Sequence, residues 1–343
     1  MSNGGVRMSN AHPPAEARAP AAPQASAGFG ARFGVTTRGI QIALGVFWLL
    51  DGLFQFKSFM YTHGIVTQIL RPAAEGQPSL IGGPMKTIDN FYGNDLTLWN
   101  TLAAEIQCAI GLGLICSRKT VKPALLVSFG WALVVWWFGE GFGGLTAHTE
   151  PSPLMGAPGA VILYAIVGLL VWPTGKKPGS SPADGGPLGE RGGLIAWSAL
   201  WVMSTILWLL NVNRAPGATH AMIAGMAEAA PHWLATVQMS VANDSQGQGT
   251  TIAVVLAIVS LAVAIGAWTR LRWMALALGI AVSLIYWVLG QRIGGPFWVN
   301  EATDVNSAPL FVLLAVALFP LAQPKRNAGG APAGDALQVG VPG

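Results

Sequence analysis

The chain contains eight apolar windows, each close to the ~20 residues that a helix needs to cross a bilayer. They lie at 39–57, 98–117, 123–141, 157–174, 193–212, 250–268, 274–292 and 308–324. Charge inside these windows is confined to Asp51, Lys57, Glu105, Glu140 and Arg292. Runs this long and apolar do not suit barrel strands, and backbone in lipid must satisfy its own polar groups. The sequence therefore predicts an all-α polytopic membrane protein with eight transmembrane helices.

The amino-acid composition excludes a soluble enzyme. Charged residues make up 10% of the chain and hydrophobic residues 52%, whereas soluble domains carry about 25% charged residues. The net charge of +4 is not gathered into a basic stripe, so no nucleic-acid partner is expected. The predicted partner is the lipid bilayer.

Charge between the windows predicts the orientation of the chain. If the N-terminus is cytoplasmic, 14 of the 19 lysines and arginines fall on the cytoplasmic side. They lie in the two terminal segments and in the loops near 118–122, 174–192 and 269–273. The positive-inside rule then predicts a multi-pass protein of the cell (inner) membrane, with both termini in the cytoplasm.

Polar segments divide the chain into domains. Residues 1–38 and 325–343 are rich in Ala, Pro and Gly and are predicted to be disordered cytoplasmic tails. Residues 175–192 form a polar cytoplasmic linker between two apolar halves. The halves are a first four-helix repeat at 39–174 and a second, diverged repeat at 193–324.

The two halves match each other in sequence. Residues 124–144 align with 275–295 at a constant offset of 151, which pairs Trp136 with Trp287 and Gly143 with Gly294. A repeat of four spans has an even number of crossings, so both copies point the same way. The sequence predicts two parallel repeats related by a pseudo-two-fold axis along the membrane normal.

Three carboxylates in the first half are the candidate catalytic residues. Asp51, Glu105 and Glu140 fall in the outer half of three adjacent windows, and the second half carries Ser204, Leu256 and Gln291 at the aligned positions. An ionisable group at membrane depth is costly and marks a functional site by default. Two other interpretations stay open: polar contacts between helices, and unrelated positions at the interface.

Candidate cofactor-binding residues flank these carboxylates. Trp136 and Trp137 precede Glu140 by one turn and could stack on a planar ligand such as a quinone ring, although Trp is enriched at membrane interfaces whatever the function. His63, in the long outer loop, is the third candidate. No histidine lies inside a window, which argues against a haem held by two histidines in the membrane. Neither a nucleotide motif nor a metal site is predicted.

Four segments of the first half carry a family resemblance. They are GVFWLLDGLFQFKSFMYTHG (45–64), SRKTVKPALL (117–126), WWFGEGFGG (136–144) and GAPGAVILYAIVGLLVWP (156–173). With them the chain resembles the DoxX/DoxD-like family of four-span membrane proteins, here as a tandem duplication. That family includes membrane subunits associated with thiosulfate:quinone oxidoreductase. The resemblance implies a quinone-linked redox role, with a quinone and a redox partner subunit as further partners.

The sequence leaves three functions open, and with them whether the chain is an enzyme. The first is a membrane subunit of a quinone-linked oxidoreductase, in which Asp51, Glu105 and Glu140 carry protons. The second is a proton-coupled transporter of a small solute or lipid. The third is a non-catalytic scaffold of a membrane complex. The chain shows no redox centre of its own, so the first function requires electrons from a partner or a bound cofactor.

Overall fold

The computed structural model describes Met1 and residues 35–147, 151–176 and 181–319. These residues form an all-helical structure without β-strands. The predicted C-terminal tail, most of the predicted N-terminal tail, His148 and part of the linker lie outside them.

Eleven α-helices of ten residues or more occur in the described part of the chain. They are α1 (Thr37–Phe54), α2 (Ser79–Asn94), α3 (Leu96–Cys116), α4 (Val121–Val134), α5 (Ala160–Leu170), α6 (Gly189–Trp208), α7 (Ala218–Ala227), α8 (His232–Asp244), α9 (Gly249–Gly266), α10 (Arg272–Leu289) and α11 (Ser307–Leu318). Eight of them coincide with the eight predicted windows, while α2, α7 and α8 lie in the two long loops.

Four helices are long and apolar enough to cross a membrane. They are α3, α4 with its extension to Gly139, α9 and α10. Helices α5 and α11 are apolar but span only 11 and 12 residues. The exposed apolar residues of the four long helices, such as Leu126 on α4 and Ile258 on α9, suit a lipid environment. The described part of the chain is therefore all-helical, with several candidate membrane-spanning helices.

The helices pack as two similar sets. In the first half α1 packs on α3, α3 on α4 and α4 on α5; in the second half α6 packs on α9, α9 on α10 and α10 on α11. Helices α5 and α11 contact each other where the two sets meet. The main core cluster includes Trp48 and Tyr164 from the first set and Trp208 from the second. One continuous core thus joins the halves.

Polar side chains stabilise the end of the first helix set at which α1 begins. Arg38 donates to the carbonyl oxygens of Leu114 and Ile115, at 2.7 and 2.6 Å, and so satisfies the free carbonyls at the end of α3. Residues Pro182–Gly185, inside the predicted linker, form a buried turn, and Thr37 donates to the Pro182 carbonyl. This part of the linker is packed against α1.

The opposite end of the first set carries the candidate site. At this end α1 and α4 finish, and α3 and α5 begin. Helix α4 passes into a π-helical turn at Val135–Gly139, and the residues that follow reverse the chain before α5. Single π-helical turns are common at functional sites because they redirect one side chain. In this chain the side chain that follows the turn is Glu140.

Candidate functional site

Glu140 is positioned by the π-helical turn before it and by a left-handed turn after it. Residues Gly141–Gly144 all have positive φ, from 52° to 76°, including Phe142 at 56°. A non-glycine residue rarely adopts this conformation, so the turn must be supported by its surroundings. It directs the Glu140 carboxylate to the start of α5, where Oε1 accepts from the backbone nitrogens of Ala160 and Val161 at 3.1 and 3.2 Å.

The second carboxylate, Asp51, lies on the buried face of α1 with 4% of its surface exposed. The Tyr164 hydroxyl on α5 donates to its Oδ2. The Tyr164 ring packs against Trp48, one turn before Asp51, with 4.4 Å between ring centroids. The tyrosine thus orients one oxygen of Asp51 and leaves the other free.

The third carboxylate is Asp304, which comes from the loop before α11 in the second half. It lies beside Asp51 and Glu140 in the wall of one cavity. Its Oδ1 accepts from the Asn306 backbone nitrogen at 2.6 Å. Burial raises the pKa of the Asp304 carboxyl above its ordinary value, and this hydrogen bond opposes the rise only in part.

These carboxylates line two adjoining cavities. The inner cavity has a volume of about 50 Å³, and its polar lining consists of Trp48, Asp51, Gln55, Gln107, Glu140, Tyr164, Thr303 and Asp304. The vestibule, about 370 Å³ and more open, is lined by Glu140, Asp304, Asn306 and the backbone of Gly143, Gly144 and Gly159 among others. Glu140 and Asp304 belong to both cavities and therefore lie between the vestibule and Asp51.

Several polar atoms of the inner cavity have no hydrogen-bond partner within the described residues. They are Asp51 Oδ1, Glu140 Oε2, the side-chain oxygens of Gln55 and Gln107, and Trp48 Nε1. A buried water requires about 10–15 Å³ and two to four polar partners, so the inner cavity has room for roughly three waters. No lysine or arginine occurs among the described residues that line either cavity. The site can hold water and exchange protons along a row of carboxyl groups.

Among the described residues, no three His, Cys, Asp or Glu side chains converge closely enough to hold a metal ion.

Glu105 lies apart from this row, contrary to the expected cluster of three first-half carboxylates. It is exposed on α3, whose buried stripe includes Ala104, Gln107 and Gly111. Gln107 lines the inner cavity, and two residues along a helix rotate the side chain by about 200°, so Glu105 points away from the cavity. The depth of Glu105 was predicted from the sequence, but its face was not. The catalytic role assigned to it stays a prediction.

The candidate aromatic residues border the site without lining either cavity. Trp136 donates from Nε1 to the Pro158 carbonyl at 2.8 Å and packs edge-on against Phe142. Trp137 stacks on Phe138 and on Phe142 of the turn, with 4.9 and 5.9 Å between ring centroids. These contacts support the left-handed turn that positions Glu140. Stacking on a bound ring stays a prediction.

His63 is exposed in the loop that follows the short 3₁₀ turn Ser58–Tyr61. Its backbone carbonyl accepts from Thr67, and its side chain lines neither cavity. The predicted cofactor contact at His63 is untested.

Two residues of the candidate site, Tyr164 and Asp304, were not predicted from the sequence. Tyr164 stands in an otherwise apolar run, and a hydroxyl at that depth was a usable signal. Asp304 follows Glu301 in a polar loop and looks like a solvated residue, because nothing in the sequence shows that the loop crosses to the other half.

The second half contains a smaller, neutral cavity of about 20 Å³. Its polar lining consists of Trp201, Ser204, Ser283, Tyr286, Gln291 and Ser307, and Pro153 and Ala157 of the first half complete it. Ser204 and Gln291 are the residues that the sequence aligns with Asp51 and Glu140. Gln291 Oε1 accepts from the Ala308 nitrogen at the start of α11, much as Glu140 does at the start of α5.

Comparisons of the chain with family models, with curated proteins and with solved structures gave no match.

Proposed function

We propose that this chain is an eight-span protein of the inner membrane, built from two parallel four-helix repeats with both termini in the cytoplasm. Helices in all eight predicted windows and the bias of basic residues support this proposal. So does the left-handed turn of the first half, which has a counterpart at Arg292–Gly295, with φ from 54° to 77°, at the same offset of 151. Trp136 and Trp287, which align at this offset, each donate to a backbone carbonyl in the loop before the last helix of their half, those of Pro158 and Val305.

For this protein we propose the function of a membrane subunit of a quinone-linked oxidoreductase, of the DoxX/DoxD-like type. The observation that carries the proposal is the row of Glu140, Asp304 and Asp51 along two adjoining cavities without a cationic side chain in their described lining. Rows of carboxylates at membrane depth are typical of proton pathways. Reduction of a quinone to a quinol consumes two electrons and two protons, and these carboxyl groups would supply the protons.

The vestibule is the proposed site of the quinone head group. Its volume of about 370 Å³ lies in the range of about 300–1,000 Å³ that is typical of small-molecule sites. Protonated Glu140 and Asp304 can donate hydrogen bonds to the two carbonyl oxygens of the ring. The absence of a Cβ at Gly143 and Gly159 makes room for the Pro158 carbonyl and for the Glu140 carboxylate at the wall of this cavity. Electrons would come from a redox partner subunit or from a bound cofactor.

The test separates binding from proton delivery. Glu140→Gln and Asp51→Asn keep shape and hydrogen bonding but cannot exchange protons. Gently purified wild-type complex is expected to contain a quinone and a redox partner, identified by mass spectrometry. In both variants bound quinone should stay within about twofold of wild type. Quinone reduction by the complex should fall on the order of 100-fold, the usual contribution of a positioned acid.

Exposed carboxylates provide matched controls. Glu228→Gln and Asp244→Asn make the same chemical changes on the second half, and both should leave reduction unchanged. A purified complex with neither quinone nor redox partner would refute the proposal. Full reduction in both pocket variants would refute it as well and favour the scaffold.

A second candidate, a proton-coupled transporter, is favoured by one observation. The cavity is completed by Asp304 from the other half, and transporters with parallel repeats bind their substrates where the repeats meet. Proton flux into reconstituted vesicles, without quinone or electron donor, would identify this function. Asp51→Asn would abolish the flux.

A further inference from the structure

Lys57 lies three residues beyond the end of α1 and binds a loop of the second half. Its ammonium group donates to the carbonyl oxygens of Val299 and Ala302, at 2.8 and 2.7 Å, and to that of Pro296. An ammonium group has three donors, and all three are used here. Lys57 therefore serves the loop and is not a counter-ion for the carboxylates of the site.

Contacts with aromatic rings reinforce this attachment. The Lys57 ammonium lies 4.9 Å from the centre of the Phe54 ring. Phe54 in turn packs edge-on against Phe297 of the loop, with 5.3 Å between centroids. The end of α1 thus holds the loop by charge and by an aromatic pair.

The loop carries Asp304 into the cavity of the first half. Ala302, the last carbonyl bound by Lys57, precedes Asp304 by two residues. On the other side of Asp304, the Val305 carbonyl accepts from Trp287 Nε1 at 2.9 Å, within the second half. Asp304 is thus held from both directions, by its own half after it and by Lys57 before it.

The second half has no lysine at the corresponding place. With Asp51 aligned to Ser204, Lys57 corresponds to Leu210, and both residues have φ −63° and ψ 145°. There the loop of the first half is bound by Asn213, which donates to the Pro151 carbonyl at 3.0 Å. That loop brings Pro153 and Ala157 to the neutral cavity and no carboxylate. The lysine occurs on the side where the crossing loop delivers an acid.

We propose that Lys57 is a positioning residue, whose ammonium group holds residues 296–302 of the second half so that Asp304 completes the proton-carrying row of the first half. The importance of this role for catalysis rests on the proposed function. The placement itself can be measured without a quinone.

Accessibility of the loop provides the first test. Thr303 lines the inner cavity and is half-buried, so Thr303→Cys, in a background with Cys108→Ala and Cys116→Ala, reports the position of the loop. Lys57→Met is expected to raise the rate of maleimide labelling at least about fivefold, and Lys57→Arg should restore most of the protection. Lys86→Met, at an exposed lysine on α2, is the matched control and should not change the rate.

The protonation of Asp304 provides the second test. Its carboxyl band in the infrared spectrum is identified by its loss in Asp304→Asn and titrated in the purified full-length protein. Asp51, Glu140 and Tyr164 face this carboxyl from the first half, and Lys57 and Glu301 are the charged groups at the loop. Because burial raises the pKa of Asp304, Lys57→Met should admit water and move the midpoint down, whereas Lys86→Met should not.

Equal labelling rates and equal titration midpoints in Lys57→Met and Lys86→Met would overturn the proposal. A purely structural lysine would lower thermal stability without moving the midpoint. If Lys57→Met does not fold, Lys57→Gln, which keeps a shorter polar side chain, answers the same question. If the quinone function is wrong, labelling and titration still respond to Lys57. If only the positioning is wrong, Asp304→Asn still lowers quinone reduction while Lys57→Met does not.

Discussion

Asp89 on α2 is a buried carboxylate outside the row that lines the cavities. It is 1% exposed, and neither of its oxygens has a hydrogen-bond partner within the described residues. Burial raises its pKa to about 6, against the opposing attraction of Arg71. An acid with a raised pKa in the folded state binds its proton more tightly when folded. It therefore supports the fold at low pH and penalises it once ionised.

Asp89 thus gives the folded protein a defined pH dependence. Its contribution to stability should be present below about pH 4 and should be lost as the pH rises to about 6. Asp89→Asn should raise the free energy of unfolding by roughly 1–3 kcal/mol at pH 8, because a neutral amide is cheaper to bury than an unpaired charge. At pH 4 the gain should be much smaller. Thermal unfolding of the purified protein at both pH values measures the difference.

The exposed Asp244→Asn serves as the control for this pH effect. If it produced the same pH-dependent gain, the assignment to Asp89 would be wrong.

Part of the site can be predicted from single residues of the sequence. Asp51 and Glu140 stand out because charge inside an apolar window is costly. The face of Glu105 could not be predicted, since in a membrane helix apolar residues occur on both the lipid side and the buried side. Asp304 could not be identified because it reaches Asp51 and Glu140 through a loop of the second half, and nothing in the sequence reports that contact. The carboxylates inside apolar windows can thus be recognised from their depth in the membrane. The rest of the site forms only through tertiary contacts.

At the scale of elements, the positions of the helices followed from hydrophobic length, whereas their ends did not. Helix α5 begins later than the window at 157–174, because Gly159, with φ of 103°, precedes its first residue. Helix α11 begins at Ser307, directly after Asn306 with its φ of 66°, and ends at Leu318, six residues before the window at 308–324 ends. The left-handed turns that follow α4 and α10 likewise end these helices before the predicted windows end. Such turns depend on local backbone conformation, which hydropathy does not report.

Helices α1 and α3 approach each other closely at glycines. A Cβ added at Gly111 would lie 2.6 Å from the Leu49 nitrogen and 2.7 Å from the Gly45 carbonyl oxygen. One added at Gly52 would lie 2.7 Å from the Cys108 nitrogen. Small residues that allow such contact are typical of packed helices in membranes.

We expect Gly111→Ala to destabilise the protein by about 1–3 kcal/mol, the usual cost of overpacking. The helices must separate, because the methyl group would meet two backbone atoms and the Leu49 Cβ, none of which can move without the helix. Thermal unfolding in detergent measures the loss. Gly130→Ala on α4, where an added Cβ has no described atom within 4 Å, should cost nothing. Equal stability of the two variants would argue against the close crossing.

At the scale of the whole molecule, the proposed topology predicts which residues face each side of the membrane. In the background without native cysteines, Glu75→Cys and Glu228→Cys should react with an impermeant maleimide applied to intact cells or spheroplasts. Lys119→Cys should react only after the membrane is permeabilised. All three positions are exposed, so accessibility on each side decides the outcome. Labelling of Lys119→Cys from outside would reverse the orientation, and labelling of only one glutamate position would contradict parallel repeats.

The crossing loops have a consequence for the history of the chain. Each cavity is closed by a loop of the other half, Pro153 and Ala157 in one direction and Thr303 and Asp304 in the other. A four-helix ancestor with the same loop would have needed a second copy of itself to close its cavity, so gene fusion would have joined an existing dimer. After such a fusion, one cavity could lose its acids while the other kept them. Under the proposed duplication, Asp51 and Asp304, which lie 253 positions apart in the sequence, would be inherited as one unit.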